Sequence, residues 1–177
     1  MKLRLLLALV ATTVLRAASL DDAAAQAKVD ARLIEIKAWA ADPVVVAAVK
    51  AHNASAPAEH TAITQDKWKS LSVLDPLVRS FSKNGAGAFL KTKKAEWVTE
   101  AFLSDASGAK VAFLSKPSGW SHGGKPKHDV PMTGQTWQGA VEVDESSGLQ
   151  QLQVSVPVLD GGQPVGSLVV GLSLLKI

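Results

Sequence analysis

The apolar periodicity of this chain changes near residue 98, and that change restricts the fold more than any other feature. Before it, Val29, Leu33, Ile36 and Ala40 recur at three- and four-residue spacing, which places them on one face of a helix. After it, residues 151–156 alternate polar and apolar side chains with period two, as a half-buried strand does. Helices followed by strands, within 177 residues, predict one domain of the α+β class.

Start and stop signals place the helices. A first helix is predicted over residues 21–42 and a second from Pro43, because Asp before Pro supplies a cap and proline suits the first helical turn. The same pair at residues 75–76 predicts a restart after a helix that begins near Thr64. Residues 84–85 (Asn-Gly) are expected to end that helix in the left-handed conformation, before a further short helix. The side chains predicted to face inward are Trp68, Leu71 and Leu74, and the restarted helix is expected to run through Leu77, Val78 and Phe81.

Five strands are expected in the second half, with turn signals at residues 105–108 and 160–163. Between the second and third strands, residues 116–137 are rich in Gly, Pro and polar side chains. Long loops of this kind are usually functional or disordered. The sequence therefore predicts a five-stranded antiparallel meander with a long loop, its strands spanning residues 98–104, 110–115, 139–144, 151–156 and 165–172.

Residues 1–25 are typical of a secretory signal peptide. A short basic segment precedes an apolar run, and small residues follow near two candidate cleavage sites, after Ala18 and after Ala25. A membrane anchor is the alternative, but the apolar run is shorter than the roughly 20 residues that a spanning helix needs. The expected product is a single periplasmic or secreted domain over residues 26–177.

Charge and composition exclude several classes of function. Without the basic residues of the signal peptide the chain is close to neutral, which gives no electrostatic basis for binding nucleic acid. The chain has no cysteine, so disulfides, thiolate metal sites and cysteine nucleophiles are excluded. His122, His128 and Asp129 match no metal-ligand spacing, and no Gly-x-Ser-x-Gly elbow or phosphate loop is present. We therefore expect no metal, no cofactor and no catalytic residue.

Several segments together carry a resemblance to a known family. In the strand half they are the strand-turn-strand 102–112, Val-Ser-Val-Pro-Val at 154–158 and Gly-Ser-Leu-Val-Val-Gly at 166–171. In the helical half they are Asp-Pro at 42–43 and Asp-Lys-Trp at 66–68. Over about residues 28–175 the chain resembles the single Cache domains, which are extracellular PAS-like (PDC-type) sensors of bacterial receptors.

The resemblance implies an exported, non-enzymatic sensor. In that family a long N-terminal helix packs on an antiparallel sheet, and a carboxylate, an amino acid, an amine or a similar metabolite binds between one sheet face and the long loop. Such receptors serve signal transduction, including chemotaxis, through a cytoplasmic output module. A membrane receptor or transmitter protein is therefore the expected partner. The chain departs from the amino-acid-binding branch, since it contains no tyrosine and lacks that branch's Arg/Tyr/Asp pattern.

Candidate ligand contacts lie in the long loop and at the strand ends beside it. A Lys and a His next to tryptophans suit an anionic or carbonyl-bearing ligand, because both can donate hydrogen bonds to oxygen. Indole rings are well suited to walling a pocket. A carboxylate after the third strand could pair with a ligand amine. The predicted ligand-binding residues are Phe102, Ser104, Lys116, Trp120, His122, Trp137 and Asp144.

These predictions have alternatives that the sequence leaves open. Trp120 and Trp137 would serve equally to pack the loop onto the sheet, and Asp144 suits a surface turn. The first helix either packs on its own sheet or pairs with a second copy in a homodimer. For the whole chain, the alternatives are a partner-docking protein of the same fold without a ligand, and an unrecognised hydrolase.

Overall fold

The computed structural model describes residues 14–16, 20, 22–143 and 150–177, so that Asp144 and most of residues 1–21 lie outside the described residues. The helices of this part are α1 (Ala23–Ala40), α2 (Pro43–Ala54), α3 (Ala58–Thr61), α4 (Gln65–Ser70), α5 (Pro76–Lys83), α6 (Gly85–Thr92) and α7 (Pro126–Asp129), with a 3-10 turn at Pro131–Thr133. The strands are β1 (Val14–Arg16), β2 (Val98–Ser104), β3 (Lys110–Phe113), β4 (Thr136–Val143), β5 (Gln150–Asp160) and β6 (Gln163–Ser173).

The sheet has the order β1-β4-β5-β6-β2-β3, and every pairing except that of β1 with β4 is antiparallel. Strands β2 to β6 confirm the predicted five-stranded antiparallel sheet and the α+β class. The predicted meander is wrong, because β6 pairs with both β5 and β2 and so separates the β2–β3 hairpin from β4. The connection from β3 to β4 therefore spans the sheet, with α7 in contact with β4, β5 and β6.

One face of the sheet packs against α1 and α2. The apolar stripe predicted on α1 is buried here, and β5 contributes every second residue from Leu152 to Val158. Burying one such aliphatic side chain fully stabilises the fold by about 1.5–3 kcal/mol. Gln26 of α1 and Gln138 of β4 exchange amide hydrogen bonds of 3.0 and 2.9 Å inside this layer, which satisfies both buried amides and fixes α1 on the sheet.

The opposite face of the sheet carries an aromatic cluster at its β2–β3 end, enclosed by α4, α5 and the start of the long loop. Its rings lie 5.3 to 5.9 Å apart between contacting centroids, in tilted, stacked and edge-to-face pairs. The indole nitrogen of Trp68 donates to the carbonyl oxygen of Pro117 at 2.7 Å and so ties the loop to α4. The members of the cluster are Trp68, Phe81, Phe102, Phe113 and Trp120.

The Asp-Pro helix starts are confirmed, but two local predictions are wrong. The side chains of Asp42 and Asp75 accept hydrogen bonds from the second following N–H, each at 2.9 Å. Asn84 is not left-handed (φ −66°), because its side chain accepts from Gly87 at 2.8 Å and caps α6, which requires an extended backbone. Leu74 is 73% exposed, since it lies in the turn before α5 rather than on a helix face.

Candidate functional site

The sheet face beneath the long loop becomes polar where β2 and β3 meet. Ser104 of β2 pairs with Lys110 of β3, and Phe102 pairs with Phe113. Directly opposite residues share one face of a sheet, so the Ser104 and Lys110 side chains lie side by side under the loop. We refer to Lys110 with Phe102, Ser104 and His122 around it as the Lys110 site.

Lys110 is fully buried, at 0% exposure. Its Nζ donates to Ser104 Oγ at 3.2 Å, to Gly108 O at 3.4 Å and to Nδ1 of His122. It also lies 4.7 Å from the centre of the Phe102 ring, whose face attracts a cation. No carboxylate among the described residues forms an ion pair with it. An ammonium group buried without a counterion is costly, so Lys110 is an unusual core residue.

The electrostatics of the site hold Lys110 close to losing its proton. Its pKa is lowered to about 7, first by burial and then by the charge of Lys127, while the carboxylates of Asp105 and Glu100 act in the opposite direction. An anion placed beside Nζ would favour the charged form and raise this pKa. The electrostatics of the site therefore favour a bound anion.

His122 connects the long loop to the buried amine. Burial, followed by the charges of Lys110 and Lys127, lowers its pKa to about 3, so the ring is neutral at neutral pH. Because Nδ1 accepts from Lys110, the ring hydrogen is on Nε2. The ring stacks on Phe102 with 4.8 Å between centroids, and the backbone N–H of His122 donates to Gly108 O at 2.9 Å.

A second histidine from α7 lies over the same face of the sheet. Nε2 of His128 faces the carbonyl oxygen of Ala106 at 3.3 Å and therefore carries the hydrogen. Its Nδ1 then accepts from Ser167 Oγ at 2.8 Å. Burial lowers the pKa of His128 and favours this neutral form. Both loop histidines thus act on the 105–109 turn, which joins β2 to β3.

Lys127, also from α7, is linked to a carboxylate through an amide. Its Nζ donates to Gln153 Oε1, and Gln153 Nε2 donates to Glu100 Oε1. Gly171 lies beside Glu100 in the neighbouring strand and leaves room for it, because a Cβ at Gly171 would come within 2.8 Å of Glu100 Cγ. These hydrogen bonds link Glu100 to Lys127, and none of the ion pairs among the described residues includes Lys110.

A cleft of about 520 Å³ opens on the outer side of His122. Two lysines and no acidic residue line it, and its walls are Gln65, Lys69, Ser118, Gly119, Trp120, Ser121, His122 and Lys125. Its volume is within the range of small-molecule sites. Because His122 lines the cleft and also contacts Lys110, its ring separates the buried amine from the cleft.

Four of the seven predicted ligand contacts share this face of the sheet. Phe102, Ser104 and His122 meet around Lys110. Trp137 is half-buried and lies in the same cross-strand row as Phe102, through successive pairings with Ser155 and Val169. The structure thus places Trp137 on the same face of the sheet as the Lys110 site, and its contact with a ligand stays a prediction.

The other three predicted contacts lie elsewhere. Lys116 Nζ donates to the carbonyl oxygen of Trp68 at 2.7 Å and lies 4.8 Å from the centre of its ring, which is a packing contact at the aromatic cluster. Trp120 is buried in that cluster and reaches the cleft with one side. Asp144 lies outside the described residues. Ligand binding by these three residues stays a prediction.

Sequence reasoning missed Lys110 itself. All four residues of β3 are buried, so the strand shows no alternation that would mark its polar face. The signal that was available is the register of the hairpin. A turn over residues 105–109 puts Lys110 directly opposite Ser104, a predicted site residue.

Two further observations on the described residues concern membrane-spanning helices and metal sites. None of the helices there is both long enough and apolar enough to cross a membrane. Within the same part of the chain, no three His, Cys, Asp or Glu side chains are grouped so that they could hold a metal ion.

No family model and no curated protein matches the chain, but solved structures resemble it. One is the ligand-binding domain of the amino acid chemoreceptor PctC of Pseudomonas aeruginosa PAO1 in complex with GABA, with a TM-score of 0.47 and 16% identity over 84% of this chain and 55% of that chain. Another is the sensor domain of the histidine kinase DctB of V. cholerae, with a TM-score of 0.38 and 18% identity over 84% and 57%.

A third similar structure is the ligand-binding domain of the Campylobacter jejuni chemoreceptor Tlp3 in complex with 4-methylisoleucine. Its TM-score is 0.41, with 11% identity over 86% of this chain and 61% of that chain. All three are sensor or ligand-binding domains. The chain spans between 55% and 61% of their length. At these identities and TM-scores, the ligands of those proteins say nothing about the ligand of this one.

Proposed function

We propose that this chain is an exported, non-enzymatic sensor domain that binds a small carboxylate at the Lys110 site. The observation that carries the proposal is the buried ammonium of Lys110, which has no carboxylate partner among the described residues and lies behind a basic cleft. Charge-assisted hydrogen bonds to a carboxylate are about twice as strong as neutral ones, so a bound anion relieves the cost of burying Lys110.

Binding changes the position of the long loop. The three N–H groups of Lys110 already donate to Ser104, Gly108 and His122, so a ligand carboxylate must replace one of these acceptors. His122 is the acceptor that leaves, because it belongs to the loop and borders the cleft from which the ligand arrives. Displacing its ring from Phe102 releases one attachment of the loop to the sheet.

The 105–109 turn offers a path from the site to the helical layer. On one side, Gly108 O accepts from Lys110 and from the backbone of His122. On the other side, Asp105 Oδ2 is 2.8 Å from Nδ1 of His52, and Asn53 Oδ1 accepts from Ala106 at 2.9 Å, both contacts with α2. A ligand that moves His122 therefore acts on α2 through the turn, and a membrane receptor or transmitter protein reads the change.

A thermal-shift titration of the exported protein with a panel of small carboxylates, at pH 6.5, tests the proposal. A ligand that binds only the folded state at a hundred times its Kd adds about 2.7 kcal/mol of stability, which raises Tm by roughly 5–10 °C. Lys110→Met should abolish the shift. Lys50→Met, at an exposed lysine that pairs with Asp160 and does not line the cleft, should retain it.

The same titration has a characteristic pH dependence. Without a ligand, Lys110 binds its proton with a pKa of about 7, and a bound anion raises that pKa. The affinity for the carboxylate is therefore full below pH 7. Above pH 7 it declines by up to about tenfold per pH unit. A panel with no carboxylate shift at pH 6.5, or a shift that survives Lys110→Met, would contradict the proposal and leave the partner-docking alternative.

A further inference from the structure

Three buried polar side chains form a hydrogen-bonded relay on the far side of the 105–109 turn, away from the Lys110 site. Asp105 Oδ2 is 2.8 Å from Nδ1 of His52, and Nε2 of His52 is 3.1 Å from Nδ1 of His60. All three residues are buried, and His60 stacks on Phe81 with 4.2 Å between ring centres. The carboxylate sensor proposed above makes no use of His60.

The relay determines which nitrogen of His60 is free. A carboxylate only accepts, so Nδ1 of His52 carries a hydrogen, and in the neutral ring its Nε2 is an acceptor. His60 must then donate from Nδ1, which leaves a lone pair on its Nε2. Burial and the neighbouring His52 lower the pKa of His60, so its ring stays neutral to a lower pH than an ordinary histidine does.

A cleft of about 440 Å³ lies beside this nitrogen, between α2, α3, α5 and α6. We call it the His60 cleft, and its walls include Val44, Ala48, Ala51, Glu59, His60 and Asn84. Most of its surface is apolar. Neither lysine nor arginine lines it. Apart from its two histidines, Glu59 is therefore the only titratable residue in its walls. Glu59 Oε1 lies 4.0 Å from Nε2 of His60, which puts two acceptors side by side.

We propose that the His60 cleft is a second ligand site, which binds a small alkylammonium ion. The ammonium group donates one hydrogen bond to Nε2 of His60 and forms an ion pair with Glu59, while its alkyl chain lies against the apolar wall of α2. The relay keeps Nε2 an acceptor, and Asp105 supports that role through His52 as a carboxylate supports a histidine in other hydrogen-bonded chains. The proposal does not rest on the carboxylate site, although both sites contact the 105–109 turn.

Its pH dependence has the opposite sign to that of the Lys110 site. The titratable groups that face His60 are His52 from α2, Glu59 from α3 and Asp105 from the turn, whereas α5 and α6 contribute neutral residues to the cleft. A proton on His60 converts Nε2 to a donor and adds positive charge, so it competes with the ammonium ligand. Affinity is therefore full above the His60 pKa and is lost as the pH falls below it.

The test is a titration with n-butylamine at pH 8, followed by the ring resonances of the histidines in NMR. The expected result is a saturable shift of the His60 signals, with affinity that declines as the pH falls through the lowered pKa of His60. Glu59→Gln should weaken binding about fivefold, the effect of losing a partly exposed ion pair. Glu96→Gln removes a matched exposed carboxylate outside the cleft and should leave it unchanged.

Two controls separate this proposal from the carboxylate site. Lys110→Met should leave butylamine binding intact, so failure at either site is distinguishable from failure at the other. Butyrate is the matched anion, because α6 begins beside the cleft and helix N-termini favour anions. Three outcomes would each overturn the proposal. They are binding of butyrate rather than butylamine at His60, no shift of the His60 signals with butylamine, and equal affinities of Glu59→Gln and Glu96→Gln for butylamine.

Discussion

Burying the ammonium group of Lys110 lowers the stability of the fold, although the same group is the one proposed to bind the ligand. Its folded-state pKa of about 7 lies below the ordinary value of 10.5, so between these two pH values the unfolded chain binds more protons than the folded one. Stability of the wild type therefore rises with pH through that window, by about 1.4 kcal/mol per unit at most. Below pH 7 the lysine is protonated in both states, and the full cost of burying the ammonium is present.

Lys110→Met removes this titration and fills nearly the same volume. We expect the variant to be more stable than the wild type at pH 6, with the difference shrinking toward pH 10. Calorimetric unfolding of the variant and the wild type at pH 6, 8 and 10 measures the difference. A variant that is less stable than the wild type at pH 6 would show that Lys110 has a stabilising partner there.

At the residue scale, the sequence was informative wherever a role depends on near neighbours. Asp105 was predicted as a turn residue, and its Oδ1 does accept from the N–H groups of Ser107 at 2.9 Å and Ala109 at 3.0 Å. Its second oxygen binds His52, which is 53 residues away in the chain, and no periodicity reports such a contact. Lys110 was missed for the same reason, since its burial depends on the loop that covers it.

Among the elements, the 105–109 turn depends on one glycine. Gly108 has φ +85°, and a Cβ there would lie 2.2 Å from the backbone nitrogen of Gly123 in the long loop. Gly108→Ala therefore combines backbone strain with a clash, and we expect a loss of about 2–3 kcal/mol or more in urea unfolding. Gly124→Ala is the matched control, because it shares a positive φ of +78° but has no atom within 4 Å of the new Cβ.

The control should lose only the strain, about 1 kcal/mol. Equal losses for the two variants would mean that the loop moves away from the turn at little cost, and the path proposed from His122 to α2 would then lack its rigid link. Ligand titrations of the same two variants extend the comparison. Carboxylate binding should be weaker in Gly108→Ala than in Gly124→Ala.

At the scale of helices and strands, local sequence signals predicted where helices start and where strands lie, but not the order of the strands in the sheet. The two Asp-Pro pairs marked helix starts because the cap and the proline act within one turn. The order of the strands depends on β6 pairing with β2, a contact between segments more than 60 residues apart, for which the sequence carries only apolar alternation. A meander and the observed order bury the same residues, so periodicity alone does not separate them.

For the whole molecule, the structure bears on where the predicted signal peptide would be cut. Cleavage after Ala25 would remove Asp22, whose side chain caps α1 by accepting from Ala24 at 2.8 Å, together with the first turn of the helix. It would also leave a charged N-terminus on Gln26, a buried residue whose amide pairs with Gln138. Loss of a cap alone costs about 0.5–2 kcal/mol.

We therefore expect processing after Ala18, which keeps the cap and the amide pair and gives a mature chain that begins at Ser19. Both cuts remove β1, but only the cut after Ala25 also removes Leu20, which packs against the core, and the first turn of α1. Intact-mass measurement of the protein recovered from the periplasm distinguishes Ser19 from Gln26 as the first residue. A start at Gln26 would mean that α1 tolerates a charge at its buried end, and an uncleaved chain would favour the membrane-anchor alternative. With Ser19 first, Asp22→Ala should lower Tm, because the capped helix is then the first element that packs on the sheet.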